Sequence, residues 1–229
     1  MKWDGLPTVI FGLGGISREA AFLISKINND NNTSGFDLVG FISNDSADVG
    51  KKIDGIKVIE SDEGFEVFAS RYPLLGVVIA FGTVKIKYDI YKKISHITNI
   101  VFPNLIHPNV DIDKNNCNLG YGNMIDSGSI IAVNVKIGDF NLIHFGSSIG
   151  HDTRIGNFCV VNPQVKISGH VNVKNGVLIG TGATVLQQLT LADNSIVGAG
   201  AVVVKDVDSN TTVVGIPAKP IKEVGNVNE

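Results

Sequence analysis

Broken every sixth residue, positions 119–203 read LGYGNM, IDSGSI, IAVNVK, IGDFNL, IHFGSS, IGHDTR, IGNFCV, VNPQVK, ISGHVN, VKNGVL, IGTGAT, VLQQLT, LADNSI, VGAGAV and V. The head of every block, from Leu119, Ile125 and Ile131 through Ile149, Val161 and Val173 to Val197 and Val203, is aliphatic, with no slip. The second position is often small, with Gly120, Gly138, Gly150, Gly156, Gly180 and Gly198 falling there. The fifth is usually small or branched, as at Ser129, Val135, Ser147, Thr153, Cys159, Val165, Val171, Val177, Ala183, Ser195 and Ala201. A fixed period of six is the signature of a parallel β-helix. An α-helix of 3.6 residues per turn would not hold these positions on one face.

In such a solenoid each block supplies a short strand and a corner, three blocks close a triangular coil, and residues eighteen apart stack. The block heads point inward, and the glycines that follow them are expected to relieve the backbone at the bends. No single coil buries its own apolar face; neighbouring coils bury it together. Each buried aliphatic contributes about 1.5–3 kcal/mol, most of it offset by chain entropy.

Outside the repeat, composition excludes several classes. A net charge of -3 leaves no basic footprint for nucleic acid. No apolar run reaches the length of a membrane span. The start Met1-Lys2-Trp3-Asp4-Gly5 puts an acidic residue and Gly-Leu-Pro where a signal peptide needs an apolar core. Cys117 and Cys159 share the inward phase of the repeat but fall on different sides of the prism, so they read as buried small hydrophobes rather than a disulfide. A cytoplasmic protein fits these features.

Upstream of the repeat the pattern changes. Residues 7–11 read as a buried strand, followed by Gly12-Leu13-Gly14-Gly15 and then Ala20, Leu23, Ile24 and Ile27 at helical spacing. Residues 28–34 read as a polar loop. Strands are expected at 36–42, 56–59, 75–81 and 100–102, and helices around Phe65, Phe68 and Ala69 and over 84–94, the latter with Ile86, Ile90 and Ile94 on one face. Alternating strands and helices argue for a parallel sheet covered by helices. The chain therefore divides into an α/β, Rossmann-like domain over 1–102 and an all-β solenoid over 103–229. The solenoid domain opens with an imperfect changeover at 102–118 and ends in an extension at 213–221 that runs back along it, with 224–229 expected to fray.

A strand, a Gly-x-Gly-Gly loop and a helix form a phosphate cradle, because backbone N–H groups and the helix N-terminus face the anion. Ser17 stands where the last glycine of a dinucleotide fingerprint would be, and no acidic residue ends the second strand in the usual way, which disfavours NAD. The pyrophosphate of a nucleotide sugar is the preferred ligand; the alternative is a tight turn with close helix–strand packing. Ser43, Asn44 and Gly82 end two other strands on the edge where ligands bind in such sheets.

On the solenoid, periodicity gives each residue an address. Ile149 points inward, so His151 and Asp152 approach the corner and face outward. One coil above His151 is Gly169, which leaves open space over the imidazole; one coil above Asp152 is His170, so Asp152 is within reach of either histidine. A neutral imidazole beside a carboxylate is a general-base arrangement. His144 stacks with Asp126 and Asn162, while His96 and His107 read as structural. The histidines lack a compact ligand spacing with cysteines or further carboxylates, so no metal is expected.

Three features now carry a resemblance: the hexad solenoid; Ser147-Ser148-Ile149-Gly150-His151-Asp152 with Ile155-Gly156 and Asn162-Pro163; and Ile179-Gly180-Thr181-Gly182-Ala183 followed by 198–207 and Gly215-Ile216-Pro217-Ala218-Lys219. Together with the glycine-rich N-terminal domain, the chain resembles the nucleotide-sugar N-acetyltransferases of the bacterial PglD-like, NeuD-related family. The resemblance covers nearly the whole chain. It implies a left-handed β-helix, a homotrimer, and acetyl-CoA in a groove between adjacent solenoids. The implied acceptor is a UDP- or GDP-linked 4-amino sugar for surface-glycan synthesis, held by Gly12, Gly14, Gly15, Ile16, Ser43, Asn44 and Gly82. His151 matches the family's base and Asp152 the acidic residue that orients it. Val160, Asn162, Gly169, Thr181, Gly182, Ala199, Lys205, Pro217 and Lys219 are assigned to acetyl-CoA, with Lys222 a further candidate for its phosphates. Three departures stand out. The family's loop often reads Gly-x-x-Gly-His-Gly, its second strand usually ends in paired aspartates where this chain has Ser43-Asn44 before Asp45, and a histidine often found near the acetyl group is Val160 here.

The expected reaction is direct transfer, since neither cysteine has the exposed, electropositive setting of a nucleophile. Rival readings are a sugar O-acetyltransferase with the same base, a non-catalytic nucleotide-binding scaffold, and a carbonic-anhydrase-like solenoid. The last needs equivalent positions that His144, His151 and His170 do not occupy.

Overall fold

A computed structural model describes residues 5–30, 35–113 and 115–221. Lys222 and 224–229 lie outside them, as do 31–34 of the expected polar loop. The chain forms two compact units divided between Pro108 and Asn109.

The first unit alternates strands and helices: β1 (Leu6–Phe11), α1 (Gly15–Asn29), β2 (Phe36–Ser43), β3 (Lys52–Ile53), β4 (Ile56–Ser61), α2 (Phe65–Ala69), β5 (Leu75–Ile79), α3 (Val84–Ile94) and β6 (Ile100–Val101). The sheet order is β3-β4-β2-β1-β5-β6. All pairings are parallel except β3 with β4. The chain builds outward from β1 to one side, then crosses to β5 on the other, so the order reverses at β1. Crevices for ligands form at the carboxyl ends of strands at such a reversal. Val9, Ile10 and Phe11 of β1, Phe41 and Ile42 of β2, and Ala20, Leu23 and Ile24 of α1 make the core, with Phe65 edge-on to Phe11 at 4.8 Å. Helix α3 has the expected bounds but a partly different buried face: Lys87 and Ile94 are buried, whereas Ile86 is 41% exposed. The isoleucine stripe therefore marks the packed side only in part: Ile94 is buried and Ile90 half-buried, but Ile86 lies outside it and Lys87 and Tyr91 share the inward face, with Tyr91 against Phe102.

The second unit is a stack of two-residue parallel strands in three sheets. One sheet contains Met124–Ile125, Leu142–Ile143, Val160–Val161, Leu178–Ile179 and Ile196–Val197; the next contains Asp111–Ile112, Ile130–Ile131, Ser148–Ile149, Lys166–Ile167, Thr184–Val185 and Val202–Val203. The third contains Asn118–Leu119, Lys136–Ile137, Arg154–Ile155, Asn172–Val173 and Thr190–Leu191. Among the block heads only Leu119 is not buried, and the fifth-position residues named above are buried throughout. The repeat starts before Leu119: Ile112 pairs with Ile131, hidden in the sequence because Ile112 and Leu119 are seven apart rather than six.

Two expectations are corrected here. The second-position glycines do not make the bends. They permit close stacking: a Cβ on Gly150 would lie 2.5 Å from the Gly169 nitrogen in the next coil. The bends use the fourth position, where every residue from Gly122 to Gly200 has positive φ, whether glycine, Asn134, Phe140, Asp152, Phe158, Gln164, His170, Gln188 or Asn194. At the far end, Thr212–Val214 adds a parallel strand beside Ile196–Val197, and Lys219–Ile221 doubles back antiparallel on it. The extension is thus a hairpin added to one sheet, not a strap along the solenoid.

Most polar residues inside the prism are paired, Ser195 Oγ being an exception. Asn123 and Asn141 form a ladder: Asn141 Nδ2 donates to Asn123 Oδ1 at 3.1 Å and to the Gly156 carbonyl at 2.9 Å, while Asn141 Oδ1 accepts from the Cys159 amide at 2.8 Å. Ser147 and Thr153 donate to the carbonyls of Asn162 and Ser168. Such pairing is what burial of polar groups requires. Cys117 and Cys159 form no disulfide and lie on different sides of the prism; Cys159 is buried as expected, whereas Cys117 is only half-buried.

Candidate active site

Ile149 anchors the strand Ser148–Ile149 in the core, and the chain then turns so that His151 and Asp152 leave at the corner between the second and third sheets. Asp152 takes the left-handed turn conformation at φ 59°, which Asp tolerates better than most side chains. His151 Nδ1 lies 2.8 Å from Asp152 Oδ2. A carboxylate only accepts, so Nδ1 donates and the neutral ring keeps its lone pair on Nε2. Asn134, one coil below, donates from Nδ2 to Asp152 Oδ1 at 2.6 Å. The His151 and Asn134 hydrogen bonds, in that order, hold the Asp152 carboxyl below the usual carboxylate range, so it stays ionised wherever a histidine base works.

Gly169 was expected to leave open space over the imidazole. Instead the ring fills that space: a Cβ on Gly169 would lie 2.6 Å from His151 Nε2 and 2.7 Å from Cε1. The backbone of Gly169 does not require glycine, since its φ is not positive; the ring does. The imidazole stays 55% exposed, so a substrate can reach it. His170 Nε2 is 3.6 Å from Asp152 Oδ2, and the two histidine rings stand edge to face with centroids 5.1 Å apart. Ligand atoms of His151, Asp152 and His170 thus converge within 4.8 Å of one another. The linear spacing of the histidines did not suggest such a set; stacking creates it. His144 is buried and apart from this cluster.

Beside the cluster, a cleft of about 340 Å³ is lined by Asn134, Lys136, Asp152, Arg154, His170 and Asn172. A second groove of about 470 Å³ continues along the same sheet past Lys136, Arg154 and Lys174. Asn134, Lys136 and Arg154 were not among the sequence candidates. Asn134 had a signal, its eighteen-residue offset from Asp152; the two cations lie on outward strand positions whose residue types follow no pattern.

The remaining candidates fall on other parts of the prism. Lys205 lies further along the His151 edge, exposed. Asn162, Thr181, Gly182 and Ala199 form a different corner, between the first and second sheets. Pro217 and Lys219 are exposed on the terminal hairpin. Val160 is 1% exposed, so its side chain is closed to a ligand and that assignment is corrected.

In the first unit, Gly14 and Gly15 face open space at the start of α1, which has no side-chain cap. Its leading N–H groups are therefore available to an anion. Gly12 plays a different part: at φ 100°, a Cβ there would meet Ser17 Oγ at 2.6 Å. Ser17 is buried and donates to the Ala80 carbonyl at 3.2 Å, tying α1 to the end of β5. Gly82 packs under Ile16. Ser43 is also committed, donating to Asp48 Oδ2 at 2.8 Å and accepting from the Asp45 amide. It holds the turn after β2 and is corrected from ligand contact to scaffold, while Asn44 stays exposed.

No protein-family model matches the chain, and no curated protein matches its sequence. Solved structures do. The chain is similar to PerB from Caulobacter crescentus, solved with CoA and GDP-perosamine, with a TM-score of 0.84 at 25% identity over 94% of this chain and 97% of that one. A histidine-substituted form of that GDP-perosamine N-acetyltransferase, also with CoA and GDP-perosamine, gives a TM-score of 0.85 at 24% identity, covering 95% and 97%. The acetyltransferase domain of PglB from Neisseria gonorrhoeae, with acetyl coenzyme A, gives 0.81 at 23% identity, covering 95% and 100%. The resemblance read from the motifs therefore extends to structure: the chain shares its architecture, nearly end to end, with PerB and with the PglB acetyltransferase domain. Among the described residues, no helix is long and apolar enough to cross a membrane.

Proposed function

We propose that this chain is an acetyl-CoA-dependent N-acetyltransferase that acts on the amino group of a nucleotide-linked amino-deoxy sugar. The observation that carries the reading is the His151 imidazole, oriented by Asp152 through Nδ1, backed by Gly169 and open to solvent. Similarity to PerB, whose structure holds CoA and GDP-perosamine, supplies the substrate classes.

The acceptor amine attacks the thioester carbonyl. His151 Nε2 takes the proton that the nitrogen loses as the C–N bond forms, and returns it to the departing CoA sulfur as the C–S bond breaks. Asp152 stabilises the imidazolium between these steps. General-base help of this kind is worth roughly 10²–10⁴-fold, and holding two large ligands together accounts for much of the rest. The α/β unit is the Rossmann-like nucleotide-sugar domain, with Gly14, Gly15 and the α1 N-terminus as its phosphate contact. The solenoid is left-handed and the enzyme a cytoplasmic homotrimer serving surface-glycan synthesis. Trimerisation is supported by the separation of the His151 corner from the Asn162–Thr181–Ala199 corner within one chain. A groove between copies would set one against the other.

The test is acetyl transfer from acetyl-CoA to a panel of UDP- and GDP-linked 4-amino-4,6-dideoxy sugars, with His151→Ala alongside. We expect release of CoA thiol with one amino sugar and at least a hundredfold loss in the variant, its fold intact by circular dichroism. A fully active variant would overturn the base assignment. An alkali-labile product would instead identify a hydroxyl acceptor.

A further inference from the structure

The His151–Asp152–His170 cluster has a property that acetyl transfer does not use. Three ligand atoms of two neutral-capable imidazoles and one carboxylate converge within 4.8 Å, with His151 Nδ1 at 2.8 Å and His170 Nε2 at 3.6 Å from the same oxygen, Asp152 Oδ2. Zinc-class cations bind imidazole nitrogen and carboxylate oxygen at about 2.0–2.2 Å, which in tetrahedral geometry sets ligand atoms about 3.3 Å apart. The two separations from Asp152 Oδ2 bracket that value, and a modest rotation of the exposed imidazoles brings the two nitrogens to the same spacing. The ligands come from adjacent coils locked together, since the His170 amide donates to the His151 carbonyl at 2.9 Å. Asn134 holds the other carboxylate oxygen at 2.6 Å, the outer-shell support that ligating carboxylates use. The cluster opens toward solvent, leaving room for water as a fourth ligand.

We propose that His151, Asp152 and His170 form an inhibitory site for a zinc-class divalent cation, in which metal binding to His151 Nδ1 switches off the base. The proposal rests on the reading of His151 as that base. A metal on Nδ1 takes the lone pair there, so the neutral ring must carry its single proton on Nε2. No proton is gained or lost overall, but Nε2 can no longer accept one from the acceptor amine. Asp152 turns from orienting the base to ligating the cation. Lys136 and Arg154 line the adjoining cleft; their charge opposes a cation, so binding is reversible rather than structural. In the proposed transfer the base is His151, so substituting His170 removes a metal ligand while leaving the base in place.

The experiment uses Zn²⁺ on the full chain, with His170→Asn and His170→Gln as variants. Both side chains already occupy the equivalent left-handed turn position, at Asn134, Asn194, Gln164 and Gln188, so the corner is preserved. Calorimetric titration should show one Zn²⁺ per chain in the wild type and binding at least about tenfold weaker in the variants. Transfer, read as mass of the acetylated sugar because released CoA thiol itself binds zinc, should fall as the site fills and return with EDTA. The variants, each compared with its own metal-free rate, should keep that rate at that Zn²⁺ level. Equal Zn²⁺ affinity in wild type and both variants, or a filled site with undiminished transfer, overturns the proposal. Calorimetry needs no substrate, so tight His170-dependent binding by a chain that transfers nothing would sink the acetyltransferase reading and leave the metal site standing.

Discussion

At the scale of single residues, the site depends on what is absent at Gly169 as much as on what is present at His151. Gly169→Ala keeps an allowed backbone but places a methyl 2.6 Å from Nε2. The exposed ring can swing away, so we expect a stability change below about 1 kcal/mol but loss of the Nδ1–Asp152 bond. Turnover should fall about 10–100-fold, with an unchanged thermal midpoint; a variant at wild-type activity would mean the ring has a second productive pose. The address of His151 and Asp152 was legible because a six-residue period assigns a direction to every position. The left-handed turn at the fourth position was not. Asn134, Phe140, Asp152, Gln164 and His170 share no side-chain property, only a backbone conformation. Ser43 misled for a related reason: a serine ending a strand reads the same whether it meets a ligand or, as here, Asp48.

At the scale of elements, each coil is held by its aliphatic heads and by polar residues buried with partners. Asn141→Ala removes the acceptor of the Cys159 amide and the donor to the Gly156 carbonyl, both inside the prism. Leaving such groups unmet costs about 1–3 kcal/mol each. We expect a drop of roughly 2–6 kcal/mol in unfolding free energy by urea titration, with kcat retained because the ladder lies on a different sheet from His151. A variant of wild-type stability would show that the coil repacks or admits water there. Most of these elements could be read from the sequence, since a continuous repeat leaves little ambiguity. Helix α3 could be read only in part: Ile90 and Ile94 turn inward as their spacing suggests, but Ile86 is exposed and Lys87 buried, because long amphipathic side chains bury their stems as readily as isoleucine. The seven-residue step before Leu119 hid the first coil in the same way, by breaking the period while keeping the inward direction.

For the whole molecule, two exposed corners of one prism carry the residues assigned to a single reaction. If adjacent copies pair those corners, inactive variants should complement each other. His151→Ala removes the base and Ala199→Trp blocks the opposite corner while leaving each fold intact. Subunits mixed in equal amounts, unfolded and reassembled together, should recover about a quarter of wild-type turnover, because some grooves then draw both sound corners from different chains. No recovery would place both corners' work within one chain.

The stacking of one coil on the next also sets how such a chain can change its length. The backbone bonds that tie one coil to the next join residues about one full coil apart, as His151 to His170 or Phe145 to Gln164. Adding or deleting eighteen residues lengthens or shortens the prism and leaves every edge in register. Adding six keeps the aliphatics inward but turns everything downstream by one face, carrying Lys205 away from the edge of His151. Any length that is not a multiple of six turns the core outward. Homologous solenoids are thus free to grow in whole coils beyond the active site, and indels of other sizes should be confined to the corners, where a loop can bulge without shifting the strands on either side.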